Sequence, residues 1–214
     1  KNFKNLNNLI TYAKKNNRPI ACLIENKNLI FKKKIKNISF YSNGLKRYYV
    51  LEKILQKVKN NTKIISTTGY TSRELYQIRS DNKFSKGKDF YLVGGMGHAS
   101  MIALGTALES KNEILCIDGD GAVLMHLGAL GLCGNFAHKN FKHIILNNNA
   151  HESVGGQKTI ANKINFKNLA FSLGYKNYFY SEKNFTFEKN LKRFLRSKGP
   201  SMFEVKIKIG TVKN

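Results

Sequence analysis

Residues 113–134 read EILCIDGDGAVLMHLGALGLCG. EILCID is an apolar run of strand length, and AVLMHLGALGLCG has the length and apolar content of a packed helix. Between them stand two carboxylates, Asp118 and Asp120, and two glycines, Gly119 and Gly121. Acids at a buried strand-to-helix junction are costly unless something cationic meets them.

The same alternation extends in both directions from this stretch. YYVLEKILQKV (48–58) reads as a helix, KIIST (63–67) as a strand, SRELYQI (72–78) as a helix and FYLVGG (90–95) as a strand. HASMIALGTALES (98–110) is a helix that leads into the opening stretch, and HIILNN (143–148) is the strand that follows it. After a polar, glycine-bearing loop come helix NFKNLAFSL, strand NYFY, helix FEKNLKRFLRS and a last strand SMFEVKI. Apolar strands alternating with helices predict βαβ units and a parallel sheet covered on both faces. The expected fold is a doubly wound α/β layer with a mostly parallel sheet of about six strands. Upstream, LNNLITYAKK (6–15) has helical spacing and PIACLIE (19–25) reads as a short buried strand, together resembling the tail of a preceding domain. The expected organisation is therefore a tail over 1–25, a polar basic linker over 26–44 and one domain over 45–214.

Composition narrows the function classes. The chain of 214 residues has 37 Lys and Arg against 13 Asp and Glu, a formal charge of +24. Such an excess suggests a polyanionic partner, but the lysines are spread along the whole chain. The densest run, Lys32–Lys33–Lys34–Ile35–Lys36, falls in the expected linker, and no nucleic-acid module stands out. A Lys/Asn-rich solvated surface with no nucleic-acid partner is the expectation. Cys22, Cys116 and Cys133 have no paired spacing and read as buried thiols in a reducing compartment, so the chain is expected in the cytoplasm. No apolar stretch approaches a membrane span and no secretory leader is visible.

Ligands of open parallel sheets sit beyond the carboxyl ends of the strands. Those ends display Thr68–Gly69–Tyr70–Thr71–Ser72, Gly94–Gly95–Met96–Gly97–His98, Asp118–Gly119–Asp120–Gly121 and Asn147 to Gly156. Glycines admit a ligand close to the backbone, free N–H groups at helix starts suit phosphate, and Asp and Asn oxygens suit Mg²⁺ or Ca²⁺. No His/Cys set has zinc spacing. Asp118 reads as a turn or cap, and Ser72 as a helix cap. Arg73 and Lys158 read as surface charges, His126 as a helix-face residue, and His138 and His143 as peripheral.

Gly119–Asp120–Gly121 is followed by 25 residues, Ala122 to Leu146, and then by Asn147–Asn148. This resembles the Gly-Asp-Gly … Asn-Asn signature of thiamine-diphosphate enzymes. Together TTGYTSRELYQI, VGGMGHASMIALGTAL, IDGDGAVLMHLGAL and LNNNAHESVGGQKT resemble the phosphonopyruvate decarboxylases of that family, over about Arg47 to Thr159. Sulfopyruvate decarboxylases are similar but generally carry Tyr-Gly in place of His151–Glu152, which favours the phosphono acid. The resemblance implies Mg²⁺ held by Asp120, Asn148 and the Ala150 carbonyl, with Asn147 as the alternative to Asn148. It implies thiamine diphosphate held by Tyr70, Thr71, Gly119, Gly121 and Ala122, with Met96 under the bent cofactor and the Gly94 carbonyl accepting from its 4′-amino group. His98 and His151 become candidates for proton transfer or for binding the anionic substrate. The chain departs from the family at Gly95 (usually Ser), Asn149 (usually Gly) and Glu152 (usually Asp). The cofactor-activating glutamate belongs to a pyrimidine-binding domain that would precede Lys1; neither Glu25 nor Glu52 lies in a matching motif. The resemblance thus implies a partner domain or subunit, a homo-oligomer, and a chain inactive alone.

Three rivals remain. Gly95–Met96–Gly97–His98–Ala99–Ser100 follows a strand as a dinucleotide fingerprint does, with Asp118 placed for a ribose, but Ser100 stands at the third glycine position and Asp120 with its asparagines stays unexplained. Nucleic-acid binding rests on charge alone. A non-catalytic remnant would have lost the other half.

Overall fold

The computed structural model describes residues 3–24, 44–81, 84 and 88–210. Two compact units are formed, Lys1–Ser39 and Phe40–Asn214. In the first, helix α1 spans Phe3–Asn16. Residues 17–24 contain no strand, against the expected 19–25 strand, and among the described residues of that unit no strand lies beside them to take the backbone N–H and C=O groups. Glu25, the basic run at Lys32 and nearly all of the expected linker lie outside the described residues.

The second unit carries α2 (Arg47–Lys57), β1 (Lys63–Ser66), α3 (Tyr70–Asp81), β2 (Phe90–Tyr91), α4 (Ala99–Glu109) and β3 (Ile114–Gly119). These are followed by α5 (Asp120–Met125), α6 (Ala129–Phe136), β4 (Phe141–Asn147), the two-residue strands β5 (Ala150–His151) and β6 (Gln157–Lys158), α7 (Phe166–Ser172), β7 (Asn177–Ser181), α8 (Asn184–Arg196) and β8 (Ser201–Lys206). Six strands form one sheet in the order β2-β1-β3-β4-β8-β7, every pairing parallel. This is the expected doubly wound α/β fold.

Side-chain alternation builds the two cores. Leu115, Ile117, Ile144 and Leu146 leave one face and meet Val50, Leu51 and Ile54 of α2, Leu75 and Ile78 of α3, and Phe187, Leu191 and Phe194 of α8. Ile114, Cys116, Phe141 and Ile145 leave the other and meet Ala99, Ala103 and Ala107 of α4, Leu130 and Cys133 of α6, and Phe166 and Ala170 of α7. The central strands are apolar on both faces because helices cover both. The chain proceeds from β1 to the β2 edge, then crosses back to β3 on the other side of β1, so the strand order reverses between β1 and β3. No described helix is long and apolar enough to cross a membrane.

Two details differ from the sequence reading. The helix expected over 122–134 is broken at His126–Gly128 into α5 and α6. The loop after β4 contains the antiparallel hairpin β5–β6, too short to leave a periodic signal.

Candidate active site at the strand reversal

An open cleft lies at the carboxyl ends of β1 and β3, where the strand order reverses. That is the position at which doubly wound sheets bind ligands. Tyr70, Thr71, Met96, Gly119, Asp120, Gly121, Ala122, Asn148, Ala150 and His151 line it. Gly94 and His98 are not among the lining residues. His98 is exposed and packs against His126, ring centroids 4.3 Å apart.

Asp120 opens α5 directly after β3 and is buried. Its Oδ1 accepts from the Asn148 N–H at 3.4 Å, and its Oδ2 from the Thr159 hydroxyl at 2.5 Å. Burial pushes the Asp120 carboxyl above the ordinary aspartate range, and these hydrogen bonds pull it part of the way back. Asn148 donates from Nδ2 to Glu152 Oε2 at 2.9 Å and accepts at Oδ1 from the Ala150 N–H at 3.0 Å. Asn147, the last residue of β4, points elsewhere: its Nδ2 donates to Glu204 Oε1 at 2.7 Å. Of the two asparagines, Asn148 therefore lines the cleft, since successive side chains leave a strand in opposite directions.

The loops close tightly over Gly121, where any side chain would have to displace His151. A Cβ on Gly121 would lie 2.5 Å from His151 Nδ1 and 3.4 Å from Met96 Cε. Asn149 has φ +58°, the left-handed region that glycine enters freely and asparagine tolerates, which explains how it stands where the family usually has Gly.

Several cleft residues escaped the sequence reading. Arg47 pairs with Glu152 and, at 2.9 Å, with Glu74. Glu152 also accepts from the Gly210 N–H at 2.8 Å. These contacts join segments 27 to 105 residues apart, and no local motif signals them. Ser72 is not a cap: it lies inside α3 and donates to the Thr67 carbonyl at 2.7 Å. Asp118 is no turn residue, because β3 runs on through Gly119 and leaves it fully buried. Nor is His143 peripheral; it is fully buried, with Nε2 3.3 Å from Asp118 Oδ2 and Nδ1 2.9 Å from the Tyr175 hydroxyl.

The family model of the thiamine pyrophosphate enzyme, C-terminal TPP binding domain, matches residues 65–205. The chain belongs to this family. Among curated relatives it is 38% identical over 130 residues to a phosphonopyruvate decarboxylase of Streptomyces viridochromogenes, covering 61% of this chain and 32% of the relative. It is 32% identical over 166 residues to a sulfopyruvate decarboxylase subunit beta of Methanothermobacter thermautotrophicus, covering 78% of this chain and 84% of the relative. The chain thus spans about a third of the length of the phosphonopyruvate decarboxylases it matches. Its fold is that of a thiamine diphosphate-dependent 4-hydroxybenzoylformate decarboxylase of Rhodococcus jostii RHA1, with TM-score 0.62 and 18% identity over 87% of this chain and 37% of the other.

Proposed function

We propose that this member of the thiamine pyrophosphate enzymes supplies the diphosphate-binding half of a Mg²⁺-dependent 2-keto acid decarboxylase that converts phosphonopyruvate to phosphonoacetaldehyde and CO₂. The observation that carries this reading is the meeting of Asp120 and Asn148, from the tips of adjacent strands, in a cleft at the strand reversal. A buried carboxylate bonded only by neutral donors, with Asn148 lining the same cleft, offers oxygen ligands to a hard divalent cation. Asp120, Asn148 and the Ala150 carbonyl would hold Mg²⁺. The Gly119, Gly121 and Ala122 backbone, with Tyr70 and Thr71, would hold the diphosphate. Met96 would give the cofactor apolar support, and the Gly94 carbonyl would accept from its amino group. When bound, the cofactor supplies the electron sink for cleavage of the carboxylate bond. His151, which lines the cleft, would move a proton, and His98, outside its lining, would meet the anionic head group.

A second reading, sulfopyruvate decarboxylation, is favoured by the 84% coverage of a relative named as a beta subunit. Either reading includes a pyrimidine-binding partner and a homo-oligomer. In support, no Lys, Arg, Asp or Glu occurs from Gly121 to Ala137, and α5 and α6 expose Met125, Leu132 and Phe136. Helices apolar on their outer face are covered in an assembly. Three unpaired thiols support a cytoplasmic setting.

The test is turnover of phosphonopyruvate, sulfopyruvate and pyruvate by the chain assembled with a pyrimidine-binding domain, with Mg²⁺ and thiamine diphosphate. Fastest CO₂ release from phosphonopyruvate is expected; a preference for sulfopyruvate selects the second reading, and no turnover of any of the three overturns both. Alone, the chain is expected to be inactive and to bind the cofactor weakly.

A further inference from the structure

Cys116 and Asp118 are separated by one residue on β3, so both side chains leave the same face of the sheet, the face covered by α4–α7. His143 is the direct partner of Cys116 across the β3–β4 ladder. All three residues are 0% exposed. A thiol sulfur, a carboxylate oxygen and an imidazole nitrogen, one from each, lie within 4.8 Å of one another.

Two of the three separations are those of ligands around an ion. Asp118 Oδ2 lies 3.6 Å from Cys116 Sγ and 3.3 Å from His143 Nε2. A tetrahedral ion with bonds of about 2.0–2.1 Å to N and O and about 2.3 Å to S separates such ligand pairs by about 3.3–3.5 Å. The second observation is an orphan: Asp118 Oδ1 is buried without a hydrogen-bond partner, a costly state for a carboxylate. Third, His143 is already held as a ligating histidine is held. Its Nδ1 is engaged by the Tyr175 hydroxyl at 2.9 Å, which turns Nε2 toward Cys116 and Asp118. Charge agrees as well, since one thiolate, one carboxylate and a neutral imidazole around a divalent ion sum to zero, the state an apolar core tolerates.

We propose that Cys116, Asp118 and His143 form a buried site for a borderline-soft divalent metal, Zn²⁺ or Co²⁺, separate from the cleft and independent of its reading. On binding, the Cys116 S–H bond breaks, the sulfur electron pair bonds the metal and the proton passes to solvent. The bound ion ties β3 to β4 beneath Asp120. Enclosure of the site on all sides means that the ion enters as the chain folds.

The full chain, produced with Co²⁺ supplied and then freed of loose metal, is expected to retain about one Co²⁺ per molecule and to show thiolate-to-metal charge-transfer absorption, which an all-oxygen site at Asp120 does not produce. Cys116→Val fills the same space with a strand-favouring side chain; verified as folded by circular dichroism, it should lose both the metal and the absorption. Cys22→Ser, at an exposed thiol in the other unit, and Asp120→Asn should retain both. Folded wild-type chain without metal, an absorption that survives Cys116→Val, or its loss in Cys22→Ser or Asp120→Asn would overturn the proposal.

Discussion

The Asp120 carboxylate is 1% exposed, and its hydrogen bonds come from the Thr159 hydroxyl and backbone N–H groups, with the Lys206 charge acting from farther away. Its raised pKa has a definite consequence for stability. A carboxyl whose folded-state pKa lies above its unfolded value favours the folded state at low pH, and that contribution is lost as pH rises through the folded value. Without a cation the ionised group is therefore a burden at neutral pH. Asp120→Asn keeps the shape and removes the charge. It should raise the cation-free melting temperature at pH 7 by about 2–4 °C, on the order of 1 kcal/mol for a domain of this size, and flatten the acid side of its pH profile. The same variant should abolish Mg²⁺-dependent binding of thiamine diphosphate, read by calorimetry. A variant that melts lower than wild type without cation, or that binds cofactor normally, contradicts this account. Asp120 and Asn148 were legible in the sequence because their types, spacing and position at strand ends agree. The roles of Arg47 and Thr159 were not, because Arg47 meets Glu152 and Thr159 meets Asp120 only through contacts distant in sequence. The misreading of Asp118 came from a shift of strand end: once β3 continues to Gly119, the residue before it moves from the rim into the core.

At the level of elements, β4 joins the two halves of the site and carries an unusual residue at its other end. Lys142 is 1% exposed on the α8 face, where its Nζ donates to the Ser197 carbonyl and lies 5.6 Å from the Phe194 ring centroid. Burial lowers its pKa from 10.5 to about 8, with Glu113 opposing the shift. Between those values the unfolded chain binds the extra proton, so the folded state gains stability as pH rises from about 8 to 10.5. Lys142→Met should lack that gain. Urea midpoints of the two proteins, measured from pH 7 to 10, should diverge in favour of wild type above pH 8; parallel profiles would show that Lys142 titrates normally. Strands such as β4 were legible as apolar runs because helices cover both faces. The break between α5 and α6 was not, because His126 to Gly128 interrupts the backbone without interrupting the apolar pattern.

For the molecule as a whole, the charge of +24 is the property the site does not use. Among described residues the ion pairs are few, and several of the acids that form them lie inside the fold, as Glu74, Asp89 and Glu204 do. The excess cations therefore repel one another across the surface. Screening sets the size of that repulsion: the Debye length falls from about 30 Å at 0.01 M salt to about 8 Å at 0.15 M. Moderate NaCl should raise the melting temperature, with most of the gain below 0.15 M. Binding to a mixed-sequence DNA duplex should be detectable at low salt and lost by physiological ionic strength, with no sequence preference, because diffuse lysines neutralise phosphates without reading bases. Thermal melts at several salt concentrations test the first expectation, and fluorescence anisotropy titrations at the same concentrations test the second. Binding that persists at 0.15 M, or that discriminates between duplexes, would mean that the lysines form a built nucleic-acid surface and that charge contributes a function of its own. A melting temperature indifferent to salt would mean instead that the positive charges lie too far apart to interact.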